Sequence, residues 1–282
     1  GHRDGTHAPG LRLTPAELLR ASHVALLAHG EGVRAIRATT RQPAAVGYAP
    51  VGQVVIPDDE SEPSVALARR LTFAMREPTV WTNSWWMDPV FLGHYPEDGL
   101  AQFGRDAPPI RSGDLETIRQ PLDFFGINSY MGYLASARTR AGGADDGWPA
   151  GHPRTGFDWP VTPEILYWGP RFFHERYGLP VVVTENGVSG RDWVCLDGAV
   201  HDPARIDYVA RHLRWLHRAI EEGIPVEGYF YWSIMDNFEW AEGYKERFGL
   251  VHVDFRTQER RLKDSARWYR QVIATGGRAA LE

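Results

Sequence analysis

The sequence predicts an α/β fold, more than half of a (β/α)8 TIM barrel, in which each parallel strand is followed by a helix. Three observations carry this. Short, almost wholly apolar runs alternate with longer runs of helical periodicity, as buried parallel strands and their crossover helices should. Long polar and aromatic loops at 81–121, 131–159 and 233–261 follow the strands, where an α/β barrel builds its site. A doubly wound open sheet fits the alternation too, but no G-x-G-x-x-G phosphate loop stands at a strand end.

In chain order, residues 1–10 read as a loop entered midway, opening on Gly1 rather than methionine and without signal-peptide character; a truncated chain is the expectation. Thr14 as N-cap, Pro15 at the first helical position and Glu17 completing a capping box then start a helix. Leu18, Leu19, Ala21, Val24, Ala25, Leu27 and Ala28 supply its apolar face, to about residue 38. Strand–helix pairs follow at 44–49 with 64–75, 124–129 with 163–177, 181–184 with 203–222, and 226–232 with 263–274. The strands read as covered on both faces. Four such units behind an orphan helix fall short of the eight in a closed barrel. Two unpaired edges and an exposed apolar layer would remain, so the isolated chain is expected to be poorly soluble, to self-associate through the barrel edges, or to depend on its missing half. Residues 140–151, rich in Gly, Ala and Asp, read as a mobile loop.

Composition narrows the function classes. The 282 residues are 43% hydrophobic and 24% charged, enough for a sizeable core. A net charge of −5 gives no basic field for nucleic acid, and no run approaches a membrane span, so neither is an expected partner and the expected location is cytoplasmic. Cys195 is the only cysteine, which removes an internal disulfide framework and a cysteine-cluster metal site. His23, His29 and His94 lack paired ligand spacing, and neither a metal nor a cofactor is expected. The 11 Trp residues suit sugar rings, which offer a flat C–H face rimmed by hydroxyls; a Trp-rich core is the competing explanation.

Candidate chemistry gathers at three strand ends. The run Val181-Val182-Val183-Thr184-Glu185-Asn186-Gly187 places a carboxylate where the chain must turn. Glu185 could attack an anomeric carbon there; alternatively Asn186-Gly187 is a simple turn with Glu185 solvated beside it. Phe124-Phe125-Gly126-Ile127-Asn128-Ser129-Tyr130 presents Asn128 and Tyr130 at the same mouth, where a Tyr hydroxyl can hold a carboxylate oriented and ionised, or merely cap the core. A third strand ends in Trp232, Glu239 and Trp240, a carboxylate and indoles suited to hydroxyl pairs and ring stacking.

Together these segments resemble glycoside hydrolase family 1, the β-glucosidases and relatives. The resemblance covers essentially the whole chain: His7-Ala8-Pro9-Gly10, Ala21-Ser22-His23 through His29-Gly30, Asp88-Pro89, Gly93-His94-Tyr95-Pro96, Gly126 to Tyr130, Thr184 to Gly187, and Trp232 to Trp240 followed by Arg247-Phe248-Gly249-Leu250. It implies a (β/α)8 barrel of which this chain holds roughly the last four units. It also implies a single catalytic domain over 1–282, truncated at its N-terminus. The implied activity is retaining hydrolysis of a β-glycoside or oligosaccharide, with Glu185 as nucleophile and Tyr130 supporting it. Asn128 lies in the same pocket. Trp232 forms the glycone floor, Glu239 and Trp240 bind hydroxyls, and Phe248 lies near the exocyclic end. Trp159 and Trp168 are candidates for the outer cleft, and Asp236 and Asn237 for structural roles in the strand-end turn.

The sequence also departs from the family. The acid/base Glu of its Asn-Glu-Pro segment has no counterpart, since the two Glu-Pro pairs, Glu62-Pro63 and Glu77-Pro78, stand elsewhere. The Gln and His that bind glycone hydroxyls are missing, and Ser129 replaces a frequent Tyr. The chain alone is therefore expected to be nearly inactive. A rival reading is a non-catalytic half-barrel that binds sugar or assembles with a partner. A Ser–His–Asp hydrolase is set aside for want of a G-x-S-x-G elbow.

Overall fold

The first helix opens as its capping box requires. The Thr14 hydroxyl accepts from the Glu17 amide at 3.4 Å, and the Glu17 carboxylate accepts from the Thr14 amide at 2.9 Å. The computed structural model describes residues 1–139 and 146–282. It runs this helix, α1, over Pro15–Thr39. There follow β1 (Gly47–Tyr48), β2 (Val54–Ile56), α2 (Glu62–Phe73), α3 (Asn83–Phe91), α4 (Glu97–Phe103), α5 (Asp114–Ile118), β3 (Phe124–Asn128), β4 (Gly132–Leu134) and α6 (Ala135–Arg138). The chain continues with α7 (Ile165–Tyr177), β5 (Val181–Asn186), α8 (Pro203–Glu221), β6 (Val226–Tyr231), β7 (Val251–Val253), β8 (Arg260–Leu262) and α9 (Asp264–Ala274).

Strands β1, β3, β5 and β6 form one parallel sheet in that order, neighbours in space as in sequence. The sheet is open, so the structure shows parallel α/β architecture and not a closed ring. The expected strand at 44–49 shrinks to Gly47–Tyr48. The loop at 81–121 in fact carries α3, α4 and α5. A small parallel pair, β2 with β4, and an antiparallel pair, β7 with β8, were also not anticipated. Of residues 140–151, 140–145 lie outside the described residues; the rest is tied down, with Arg154 donating to Asp146 at 2.8 Å and the Trp148 indole to Gly132 O at 3.1 Å.

Two further expectations are corrected by burial. On α1 the buried stripe is Leu19, Ser22, His23, Leu26, Gly30 and Val33, whose 3–4-residue spacing is one helix face; Val24, Ala25 and Ala28 fall on the exposed side. The sheet is covered on one face, not two. Phe125, Ile127, Val181 and Val183 are fully buried, and Phe125 stacks on Phe173 and Tyr177 of α7 at 4.8 and 5.4 Å. The alternate residues Val182 and Thr184 are only half-buried, and Phe230 of β6 is 61% exposed. Among the described residues no helix is long and apolar enough to cross a membrane.

Candidate active site

Strict alternation along β5 would send Glu185 toward the helices with Val181 and Val183. A break in register prevents it. Residues 181–183 pair in order with 125–127, but Asn128 then faces Glu185 and Thr184 is passed over. The β5–β6 pairing shifts in the same stretch, between Val183 and Asn186. Such an extra residue re-aims side chains at a strand end. Glu185 is thereby half-buried beside Tyr130, whose hydroxyl donates to Glu185 Oε2 at 2.6 Å.

The supports of this pair are buried. The Ser129 amide donates to Glu185 O at 2.9 Å, and Thr184 Oγ1 to Asn128 Oδ1 at 2.6 Å. Asn186 is fully buried; its amide donates to Ser129 O and Tyr208 Oη, and its Oδ1 accepts from Tyr229 Oη at 2.9 Å. Tyr208 Oη in turn donates to Tyr130 O at 3.1 Å. Ser129 is fully buried and its Oγ has no hydrogen-bond partner among the described residues. Burial, reinforced by the hydrogen bond to Glu185 and its negative charge, drives the Tyr130 phenol far above its ordinary pKa, so it stays a donor.

Aromatic rings wall the pair. Trp159 lies 5.5 Å from Tyr130 and stacks on Phe157 at 4.5 Å, while buried Phe248 stands 6.2 Å from Tyr130. Trp232, whose bond to Ser233 is cis, and Glu239 are both half-buried. Burial raises the Glu239 carboxyl; the Trp232 side chain opposes this, and the charges of Glu185 and Glu246 add to the rise. Glu185 and Glu239 therefore share one electrostatic environment.

Two predicted residues differ sharply in exposure. Trp240 has a φ of 41° and is 67% exposed on the turn beside Glu239. Trp168 belongs to the core and not to an outer cleft: on α7 it is buried against Tyr167 and Phe172. Glu62 opens α2 and Glu77 follows it, both exposed and outside the cluster.

Asp236 and Asn237 are structural. Buried Asp236 accepts from Arg247 at 2.6 Å, Lys263 at 2.9 Å and the Gly249 amide at 3.0 Å; Asn237 donates to Ser233 Oγ at 2.9 Å. Burial pushes the Asp236 carboxyl up, but Lys263 and Arg247 together outweigh it and hold it low. Sequence reasoning missed the rest of this network. Lys263, fully buried, also donates to Asp192 at 2.5 Å; Asp192 pairs with buried Arg205, which donates to Asp202 at 2.8 Å and Tyr231 Oη at 3.0 Å. The Asp202/Arg205 spacing at the head of α8 was the available signal. No group of three or more metal-ligating side chains occurs among the described residues.

Residues 1–278 match the family model described as Glycosyl hydrolase family 1. The chain belongs to that family. The fold of that family is a TIM barrel. β-Glucosidase A of Thermotoga maritima is 37% identical over 98% of this chain and 60% of that protein. The bifunctional β-D-glucosidase/β-D-fucosidase of Bifidobacterium breve is 39% identical over 95% of this chain and 60% of its own length. The Thermotoga maritima β-glucosidase solved in complex with deoxynojirimycin superposes with a TM-score of 0.83 at 36% identity, covering 98% of this chain and 61% of that one. The chain thus spans about three-fifths of these family members.

Proposed function

We propose that this chain carries the nucleophile side of a retaining β-glycosidase site, within roughly the last four units of a (β/α)8 barrel. The observation that carries the reading is the 2.6 Å bond from Tyr130 to Glu185 at the register break ending β5. It gives an oriented carboxylate at the C-terminal end of a parallel strand, where barrel enzymes place chemistry. Membership of a family whose matched relatives include named β-glucosidases supports it.

In the proposed reaction Glu185 attacks the anomeric carbon of a β-D-glycoside as the aglycone oxygen leaves with a proton. Water then hydrolyses the glycosyl ester with net retention. Tyr130 keeps Glu185 aimed through its 2.6 Å hydrogen bond. Glu239 accepts glycone hydroxyls, Trp232 offers a ring face, and Asn128, Trp240 and Phe248 contribute to the glycone pocket. The proton donor is the Glu of the family's Asn-Glu-Pro segment, which this sequence lacks, about 5–5.5 Å from Glu185 in the assembled site. General acid assistance is worth roughly 10²–10⁴-fold, so the chain by itself hydrolyses glycosides poorly.

The test is hydrolysis of an activated aryl β-glucoside. It compares the chain alone with the chain joined to the portion of the Thermotoga maritima β-glucosidase A that it does not cover. Activity confined to the joined protein and abolished by Glu185→Gln is expected. Activity that survives Glu185→Gln sinks the assignment, and a folded but inactive joined protein that binds glucoside favours the non-catalytic half-barrel.

A further inference from the structure

Tyr130 stands past the end of β3, yet its hydroxyl is held on Glu185. The sheet ladder carries as far as Ser129, whose amide donates to Glu185 O. Beyond that point the main chain is held by its carbonyls. Ser129 O accepts from the Asn186 side-chain amide at 2.9 Å, and Tyr130 O accepts from Tyr208 Oη at 3.1 Å. The two donors are themselves joined, since Tyr208 Oη accepts from Asn186 Nδ2 at 3.3 Å. Two consecutive peptide carbonyls are therefore gripped by one hydrogen-bonded pair.

Tyr208 is placed to hold still. It lies on α8, the helix after β5, and is 2% exposed beside Val188 and Val209. Its ring stacks on His212, one helical turn along, at 3.8 Å, which leaves the hydroxyl little freedom to swing away. Burial raises the phenol well above its ordinary pKa; the Asn186 bond opposes this and Tyr231 adds to it. Tyr208 therefore remains a donor to Tyr130 O. A phenylalanine would fill the same apolar surroundings, so packing does not ask for the hydroxyl. What asks for it is the Tyr130 carbonyl, which lies past the strand and needs a donor from elsewhere. The Tyr130 phenol leaves the same residue, so a rotation of that peptide would turn it off the 2.6 Å line to Glu185.

We propose that Tyr208 is a positioning residue: it works not on the sugar but on the Tyr130 peptide, fixing it so that the Tyr130 hydroxyl stays aimed at Glu185. This deepens the catalytic reading above, on which its kinetic consequence rests; its geometry stands apart from that reading.

The experiment is a pair of double-mutant cycles. Tyr208→Phe keeps the ring on His212 and deletes the hydroxyl. In the joined protein, kcat for an aryl β-glucoside should fall about ten-fold with KM changed less than about two-fold, the size of one hydrogen bond lost from the aim of the nucleophile. In a Tyr130→Phe background the same change should alter kcat less than about two-fold, because the hydroxyl that it aims is gone. Tyr208→Leu, which loses the ring as well, should be less stable than Tyr208→Phe but no slower. Urea unfolding of the chain by itself supplies the second cycle and needs no activity. There the combined effect of Tyr208→Phe and Tyr130→Phe on the unfolding constant should fall short of the product of the single effects by about three-fold or more. An unchanged kcat, a loss carried by KM, or independent effects in the unfolding cycle would overturn the proposal. So would kcat values that follow stability and not the hydroxyl. If the joined protein is inactive before any substitution, the catalytic reading fails and the unfolding cycle alone decides for or against Tyr208.

Discussion

Gly187 lies so close to Trp232 that a β-carbon on it would stand 2.0 Å from the Trp232 carbonyl oxygen. The turn leaving β5 and the segment leaving β6 occupy one space, and only the missing side chain permits it. Gly187→Ala must push the two strand ends apart. At Gly228, on the same pair of strands, an added β-carbon meets nothing nearer than 3.5 Å. Urea unfolding should show a loss of about 1–3 kcal/mol for Gly187→Ala and less than about 1 kcal/mol for Gly228→Ala. Equal losses would show that the close approach is not the cause.

Tyr130→Phe keeps the ring against Trp159 and Phe248 and deletes only the hydroxyl on Glu185. A hydrogen bond to a charged group contributes about 1.5–3 kcal/mol. In the joined protein, kcat/KM for an aryl β-glucoside should fall roughly 10- to 100-fold, with a stability loss no larger than about 3 kcal/mol. An unaltered kcat/KM would remove Tyr130 from the proposed mechanism.

How far the sequence could be read follows from what each residue depends on. α1 was legible because its start is local: Thr14, Pro15 and Glu17 satisfy one another within a turn. The sheet strands were legible from continuous apolar runs, and Glu185, Asn128 and Tyr130 from their place at the ends of those runs. The skipped pairing at Thr184 was not legible, because it depends on the registers of β3 and β6. α3 escaped because Trp85, Met87 and Val90 are buried all round it, and Pro89 inside it reads as a breaker. Trp168 was misplaced because an indole looks alike in a cleft and in a core; its neighbours Tyr167 and Phe172 on the same helix decided for the core. Strand composition suggested two covered faces, but what covers the second face lies outside the strands themselves.

Lys263 holds Asp192 and Asp236 together without any access to water. Burial lowers its pKa, Arg205 lowers it further, and the two carboxylates oppose that. Removing one member of a buried ion network leaves uncompensated charge and costs about 3–5 kcal/mol. Lys263→Met should lose roughly that amount in urea unfolding at neutral pH. In a double-mutant cycle with Asp236→Asn the losses should fall short of additive, because the second change removes charge that the first left unpaired. Strict additivity would show that the two residues act independently.

His212 makes the fold sensitive to acid. It is fully buried and stacks on Tyr208 at 3.8 Å; Nδ1 bonds Tyr208 O at 2.7 Å, and Nε2 has no partner among the described residues. Burial lowers its pKa to about 3, with the Tyr208 bond opposing. A histidine whose folded-state pKa is depressed binds its proton in the unfolded chain first. Its contribution to stability is therefore whole above the unfolded value near 6.5 and declines as pH falls from there toward about 3. The slope is at most about 1.4 kcal/mol per pH unit. His212→Phe keeps a ring against Tyr208 and cannot titrate. Between pH 7 and pH 4.5 the parent should lose up to about 2–3 kcal/mol more than this variant, measured as the change in urea unfolding free energy. The comparison concerns the change with pH in each protein, so any fixed cost of the substitution cancels. Parallel pH curves for the two proteins would mean that His212 stays uncharged in the unfolded chain as well, or reaches solvent when folded, and either result would end its role as the acid-sensitive group.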